Sequence, residues 1–98
     1  YSEVYKNKIE ALLNSHLLDN ETWSEFKYAF IQEHSKYYQT LIHNFKDLTD
    51  SNLRVIFLLK LEMNNAEIAR ILGLTLEGVK KAKQRLRKKY GEQYSGLF

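Results

Sequence analysis

Apolar residues recur along this chain at helical spacing from end to end. Tyr5, Ile9, Leu12 and His16 follow one another at intervals of four, three and four, and Val4 and Leu13 widen the stripe. That rhythm fits the seam of a coiled coil, but fewer than three heptads are present, so an amphipathic helix packed on its own domain fits equally. The pair Asp19-Asn20 interrupts the pattern and offers a cap for a second helix, whose Trp23, Phe26, Phe30 and His34 share one face. A third stretch carries Tyr37, Tyr38, Leu41 and Phe45, either capped by Ser35 or continuing the second helix without a break.

Beyond Asp47, capping residues stand where apolar periods restart. Thr49 can open a helix running to about Leu61. Asn64, with Glu67 three positions on, has the spacing of a capping box, and Thr75 can open the last helix. Gly73 and Gly91 fall just past the ends of the second and third of these helices, where a left-handed residue closes a helix at no steric cost. A short helix, a tight turn at Gly73-Leu74 and a longer basic helix make the outline of a helix-turn-helix.

The helix from Asp50 to Leu61 is apolar on two sides. Val55, Ile56 and Leu59 suit the core of the helix-turn-helix, whereas Leu53, Phe57 and Leu61 need another cover. Trp23, Phe26 and Phe30 are the expected source of it. In the last helix, at 100° per residue, Val79, Ala82, Leu86 and Tyr90 fall within about 60° of one another. Glu77, Lys81, Gln84 and Lys88 lie opposite.

Composition narrows the class. Ninety-eight residues, 44% of them apolar, can build one small core. With no Cys there is no disulfide framework, no thiolate zinc site and no thiol nucleophile, and with no Pro and four Gly nothing interrupts long helices. The longest apolar run, Val55 to Leu59, is far short of the roughly 20 residues that span a bilayer, so a soluble, cytoplasmic chain without membrane contact is expected. Catalysis is not expected either. There is no Gly-rich phosphate loop, and His16, His34 and His43 lack the spacing or carboxylate company of a metal or acid–base site. Neither metal nor cofactor is implied.

The net charge of +3 conceals an asymmetry: residues 1–47 carry five basic side chains against seven acidic ones, and residues 48–98 carry ten against five. From Lys80 to Lys89 there are seven Lys/Arg and no acid. A merely solvated helix face would intersperse Glu; this pattern is the footprint of a polyanion-binding element. Gln and Lys can reach base edges, and Lys and Arg can reach phosphates.

Leu48-Thr49, Val55-Ile56, Leu58-Leu59, Asn65-Ala66-Glu67-Ile68-Ala69, Leu72-Gly73-Leu74-Thr75, Val79-Lys80, Arg85-Leu86 and Lys89-Tyr90-Gly91 resemble, in order and spacing, the DNA-binding domain of LuxR-type (GerE-type) bacterial transcription regulators. The resemblance spans about 44 residues without a gap. Upstream, the aromatic segment from Trp23 to Asp47 resembles the region preceding that domain in regulators with a tetratricopeptide-repeat or propeller-type sensor. The chain begins at Tyr1 inside a helical pattern, so it is expected to be the C-terminal output domain of a longer regulator.

The resemblance implies an all-α fold: N-terminal helices packed on a C-terminal LuxR-type helix-turn-helix, a winged-helix-like three-helix core with no wing. Residues 1–47 would form the helical coiled-coil and aromatic packing segment, and residues 48–98 the DNA-binding domain. It also implies a recognition helix over 76–90 in the major groove of double-stranded DNA. Lys81 and Gln84 would then meet base edges, with Lys80 shared between base and phosphate. Asn64, Asn65, Thr75, Arg85, Arg87 and Lys88 would hold the backbone. A full fourth helix, often the dimer contact, does not fit after Gly91, which leaves Tyr5, Ile9, Leu12 and His16 as the expected homodimer seam. The other reading of the basic helix is a protein-interaction module that binds an acidic partner or an RNA polymerase subunit.

Several residues depart from the family pattern. Asn52 replaces a glutamate, so the start of that helix should be capped differently. Glu62 stands for a glycine between two helices, and Gly78 and Ala82 stand for a threonine and a histidine on the recognition helix. Lys46 and Leu76 occupy positions that often hold proline.

Overall fold

A computed structural model describes residues 2–14 and 20–96. Among these residues every regular element is helical: α1 (Ser2–Leu13), α2 (Asn20–Glu33), α3 (Ser35–Asn44), α4 (Asp50–Lys60), α5 (Asn65–Leu72), α6 (Leu76–Tyr90) and the single turn α7 (Glu92–Ser95). The all-α fold is as expected. Among the described residues α7 is four residues long.

Local chemistry sets the boundaries in the second half. Thr49 Oγ1 accepts the Asn52 N–H at 3.1 Å, and Asn52 Oδ1 accepts the Thr49 N–H at 3.2 Å. A reciprocal capping box therefore forms at α4 after all: the amide oxygen of Asn52 takes the place a glutamate carboxylate would fill, from the same position three residues in. Asn64 and Glu67 form the same box at α5, with bonds of 2.8 and 3.1 Å. Thr75 Oγ1 accepts the Gly78 N–H at 3.0 Å to open α6. Gly73 closes α5 in the left-handed region (φ 67°), and Leu74 N–H returns to Ala69 O at 2.8 Å.

One boundary departs from expectation. Ser35 is the first residue of α3 and caps nothing; the residue before it, His34, takes a non-helical conformation (φ −122°, ψ 47°) without a side-chain cap. Its N–H still reaches Phe30 O at 2.8 Å and its C=O still accepts from Tyr38 N–H at 2.9 Å. The backbone bonding of α2 thus runs on into α3 through a bend.

The core is continuous across both halves. Helix α4 lies between two partners. Leu53, Val55, Ile56 and Phe57 of α4 are all buried in one core with Ile68, Ile71, Val79 and Leu86 of α5 and α6 and with Trp23, Phe26 and Phe30 of α2. Phe57 sits within 3.9 to 6.4 Å, ring centroid to ring centroid, of Trp23, Phe26, Phe30 and Tyr38. An ion pair, Lys27 Nζ to Asp50 Oδ1 at 3.2 Å, and the Arg54 guanidinium over the Trp23 ring at 5.1 Å edge this contact.

Helix α1 packs along α2. Ile9 is 4% exposed, and Tyr5 and Leu12 are half-buried against the same core. The Tyr5 ring meets Tyr28 edge-on at 6.0 Å. Of the two readings of the α1 stripe, packing within the chain is therefore what these residues do. Ile9 is taken up by this packing, while Tyr5, Leu12 and Leu13 stay partly open and Val4 is exposed. His16 and Asp19 lie outside the described residues.

Between α3 and α4 the connector is gripped from the far end of the chain. Tyr90 Oη donates to Lys46 O at 2.8 Å, Lys89 Nζ donates to Asp47 O, and Gln93 Nε2 donates to Asn44 O at 3.3 Å. The Phe45 ring stands edge-on to Tyr90 at 4.8 Å. No helix among the described residues is long and apolar enough to cross a membrane.

Candidate nucleic-acid interface

Helix α6 is fixed by its buried side and presents the other. Val79 and Leu86 are buried, Ala82 is half-buried, and the helix packs on both α5 and α4. Lys80, Lys81, Gln84, Arg85, Arg87 and Lys88 are all exposed. The structure therefore brings the three expected base-contacting residues and three of the expected backbone-contacting ones onto one exposed surface of one helix.

Their freedom differs. Lys80 Nζ lies 3.7 Å from Glu77 Oε1, an exposed i,i+3 pair worth little in water. The Arg87 guanidinium lies over the Tyr94 ring at 5.7 Å. Burial raises the Tyr94 hydroxyl's pKa above its ordinary value although Arg87 opposes the shift. Lys81, Gln84, Arg85 and Lys88 have no ion-pair or side-chain hydrogen-bond partner among the described residues.

The remaining expected contacts are engaged in holding the fold. Asn64 Oδ1 is the α5 cap and Thr75 Oγ1 the α6 cap. Asn65, half-buried, accepts a hydrogen bond from Lys83 Nζ at 2.9 Å. Their side-chain acceptors are thus occupied, and what the start of α5 leaves for an anion is its first backbone N–H groups, which have no acceptor inside a helix. The helix-turn-helix turn is short, and it leaves Leu74 and Leu76 exposed beside Thr75.

Two features of this surface depend on elements other than α6. Lys83 and Lys89 belong to the basic run but point back, Lys83 to Asn65 and Lys89 to Asp47 O and Asn52 Oδ1. Helical projection places both near the packed edge, but their acceptors come from other elements and cannot be read from α6 alone. Arg54 of α4 also joins Lys81 and Arg85 around one depression. It is the lone cation in the first half of α4, and nothing in the α6 pattern points to it. Among the described residues no group of three or more His, Asp or Glu side chains could hold a metal ion.

No family model, curated protein or solved structure matches this chain.

Proposed function

We propose that residues 48–98 bind double-stranded DNA sequence-specifically, with α6 in the major groove, as the cytoplasmic output domain of a bacterial transcription regulator of the LuxR type. The observation that supports this reading is the surface of α6. Lys81, Gln84, Arg85 and Lys88 project unpartnered from a helix whose opposite side is anchored by Val79 and Leu86, and no acid interrupts Lys80 to Lys89. An unpaired Gln among cations suits base edges, which offer both donors and acceptors, better than it suits a purely acidic partner. The first N–H groups of α5 and the cations Arg85, Arg87 and Lys88 suit phosphates on either side. Residues 1–47 act as a rigid support, because their aromatic face is part of the core that holds α4.

Selection of bound duplexes from a random pool, repeated at two salt concentrations, tests this directly. A recovered consensus, with Lys81→Ala and Gln84→Ala each weakening it by about 1–3 kcal/mol and relaxing one position, is the expected result. Affinity that is indifferent to sequence and to both substitutions would instead leave the basic helix as a docking element for an acidic protein or an RNA polymerase subunit. A homodimer, if formed, would appear as half-site symmetry in the consensus.

A further inference from the structure

A slot of about 390 Å3 opens between the first turns of α4 and the first half of α6. Two small residues one turn apart, Gly78 and Ala82, form its α6 wall. They stand on the same face of the helix, and a Cβ added at Gly78 would meet Thr75 Oγ1 at 3.3 Å and Leu74 Cβ at 3.6 Å. Larger side chains at these two positions would fill the space. Val55, Leu72 and Leu74 give the slot an apolar lining.

Its rim is of one sign. Lys81 and Arg85 lie along the α6 edge, both exposed and without an ion-pair partner. Arg54, whose guanidinium lies over Trp23, and Ser51 line the slot from α4. No Asp or Glu lines the slot. Its volume lies toward the lower end of the roughly 300–1,000 Å3 typical of small-molecule pockets. An apolar lining flanked by cations selects a ligand with an apolar body and one anionic end, and a planar guanidinium such as Arg85 pairs well with a carboxylate.

We propose that this slot binds a small amphiphilic carboxylate, an aryl or short alkyl acid. The apolar body rests on Val55, Leu72 and Leu74, and the carboxylate lies between Lys81 and Arg85. Binding at the slot stands apart from the DNA reading. Its consequence, competition between ligand and duplex for Lys81 and Arg85, rests on that reading.

Titration of the 98-residue chain with 2-naphthoate, followed by backbone amide NMR, tests the site without DNA. Saturable shifts confined to the start of α4, the Leu72–Leu74 turn and α6 around Gly78 to Arg85 are expected, with a dissociation constant of about 1 mM or tighter. Acetate, which lacks the body, and naphthalene-2-carboxamide, which lacks the charge, should each bind about tenfold more weakly. Ala82→Leu, which fills the slot, should abolish saturation. The exposed Arg85→Gln, which leaves the packing untouched, should weaken binding about tenfold. Shifts that spread over the whole of Lys80 to Lys89, or that acetate or the carboxamide reproduces equally, would overturn the proposal. If 2-naphthoate also displaces a bound duplex from the parent chain but not from Ala82→Leu, slot and DNA surface are the same place. Saturable ligand binding in a chain that binds no duplex would uphold the slot and refute the DNA reading.

Discussion

The ring of Phe57 on α4 stacks on the ring of Phe30 on α2, with centroids 3.9 Å apart and planes 11° from parallel. Both residues are fully buried. This pair joins the N-terminal helices to the helix that also carries the core of the helix-turn-helix, so disruption on either side reaches the other. Phe57→Ala should lose about 3–5 kcal/mol, the usual cost of emptying an aromatic site that cannot collapse. Urea unfolding followed by tryptophan fluorescence and by helical circular dichroism should give coincident transitions, because Trp23 reports the α2 side of the same core. Separate transitions would show that the two halves fold independently.

The caps at Thr49, Asn64, Thr75 and Gly73 were legible in the sequence because each acts on backbone within four residues of itself. The second apolar side of α4 was legible too, since Phe57 and Leu53 could not be buried by the helix-turn-helix alone. What periodicity could not decide was the identity of a partner. The Tyr5/Ile9/Leu12 stripe has the same spacing whether it meets α2 or another subunit, and only the three-dimensional packing distinguishes them. The same holds for the basic run: sequence gives seven cations, and the acceptors on Asn65, Asp47 and Asn52 determine which two turn inward. The grip of Tyr90, Lys89 and Gln93 on the α3–α4 connector is a contact between distant segments with no sequence signature at all.

Two non-glycine residues have left-handed backbones, and they should respond differently to glycine. Glu62, at φ 62°, closes α4: its N–H donates to Leu59 O at 2.9 Å, and Met63 N–H donates to Leu58 O at 3.2 Å. That is the bonding of a Schellman motif, with a long side chain where glycine is favoured. The left-handed cost of roughly 1–2 kcal/mol exceeds the extra unfolded-state entropy of glycine, about 0.5–1 kcal/mol, so Glu62→Gly should stabilise by up to about 1 kcal/mol. Asp47, at φ 59°, tolerates this region better, and Asp47→Gly should change stability little. Chemical denaturation of the two variants side by side checks the contrast.

Tyr37 carries a hydroxyl that is enclosed and has no hydrogen-bond partner among the described residues. Burial pushes its pKa up to about 12, and Lys60 Nζ lies over the ring at 4.7 Å. A buried polar group left unpaired costs on the order of 1–3 kcal/mol, so Tyr37→Phe should raise stability by about 1 kcal/mol while keeping the ring contacts with Phe30 and Lys60. A destabilised Tyr37→Phe variant would mean that the hydroxyl has a partner after all.

His34 should make the fold sensitive to mild acid. Its ring packs on Phe30 at 4.7 Å, and burial lowers its pKa below the ordinary value; Glu33 opposes this shift and Lys60 adds to it. The unfolded chain therefore takes up the proton first as pH falls. The contribution is fully present above the unfolded pKa near 6.5 and is lost as pH falls from there through the lowered folded value. Melting temperature measured between pH 7.5 and 5 should fall more steeply for the parent chain than for His34→Gln. Parallel curves would assign the acid sensitivity to other groups.

Lys83 and Lys89 also divide the basic run into cations that face the solvent and cations that hold the fold. If α6 enters a DNA groove, the salt dependence of binding counts only the first kind. Replacing Lys88 by Gln should lower the slope of log K against log salt by about 0.9, the value for one phosphate contact on duplex DNA. Lys83→Gln and Lys89→Gln should leave the slope nearly unchanged. They should act on stability instead: Lys89→Gln removes donors from Asp47 O and Asn52 Oδ1 and should cost about 1 kcal/mol. Binding isotherms at four salt concentrations, with urea melts of the same proteins, separate the two effects. A slope that falls equally for all three variants would mean that Lys83 and Lys89 leave their acceptors to reach phosphate, and that the inward bonds are not kept in the complex.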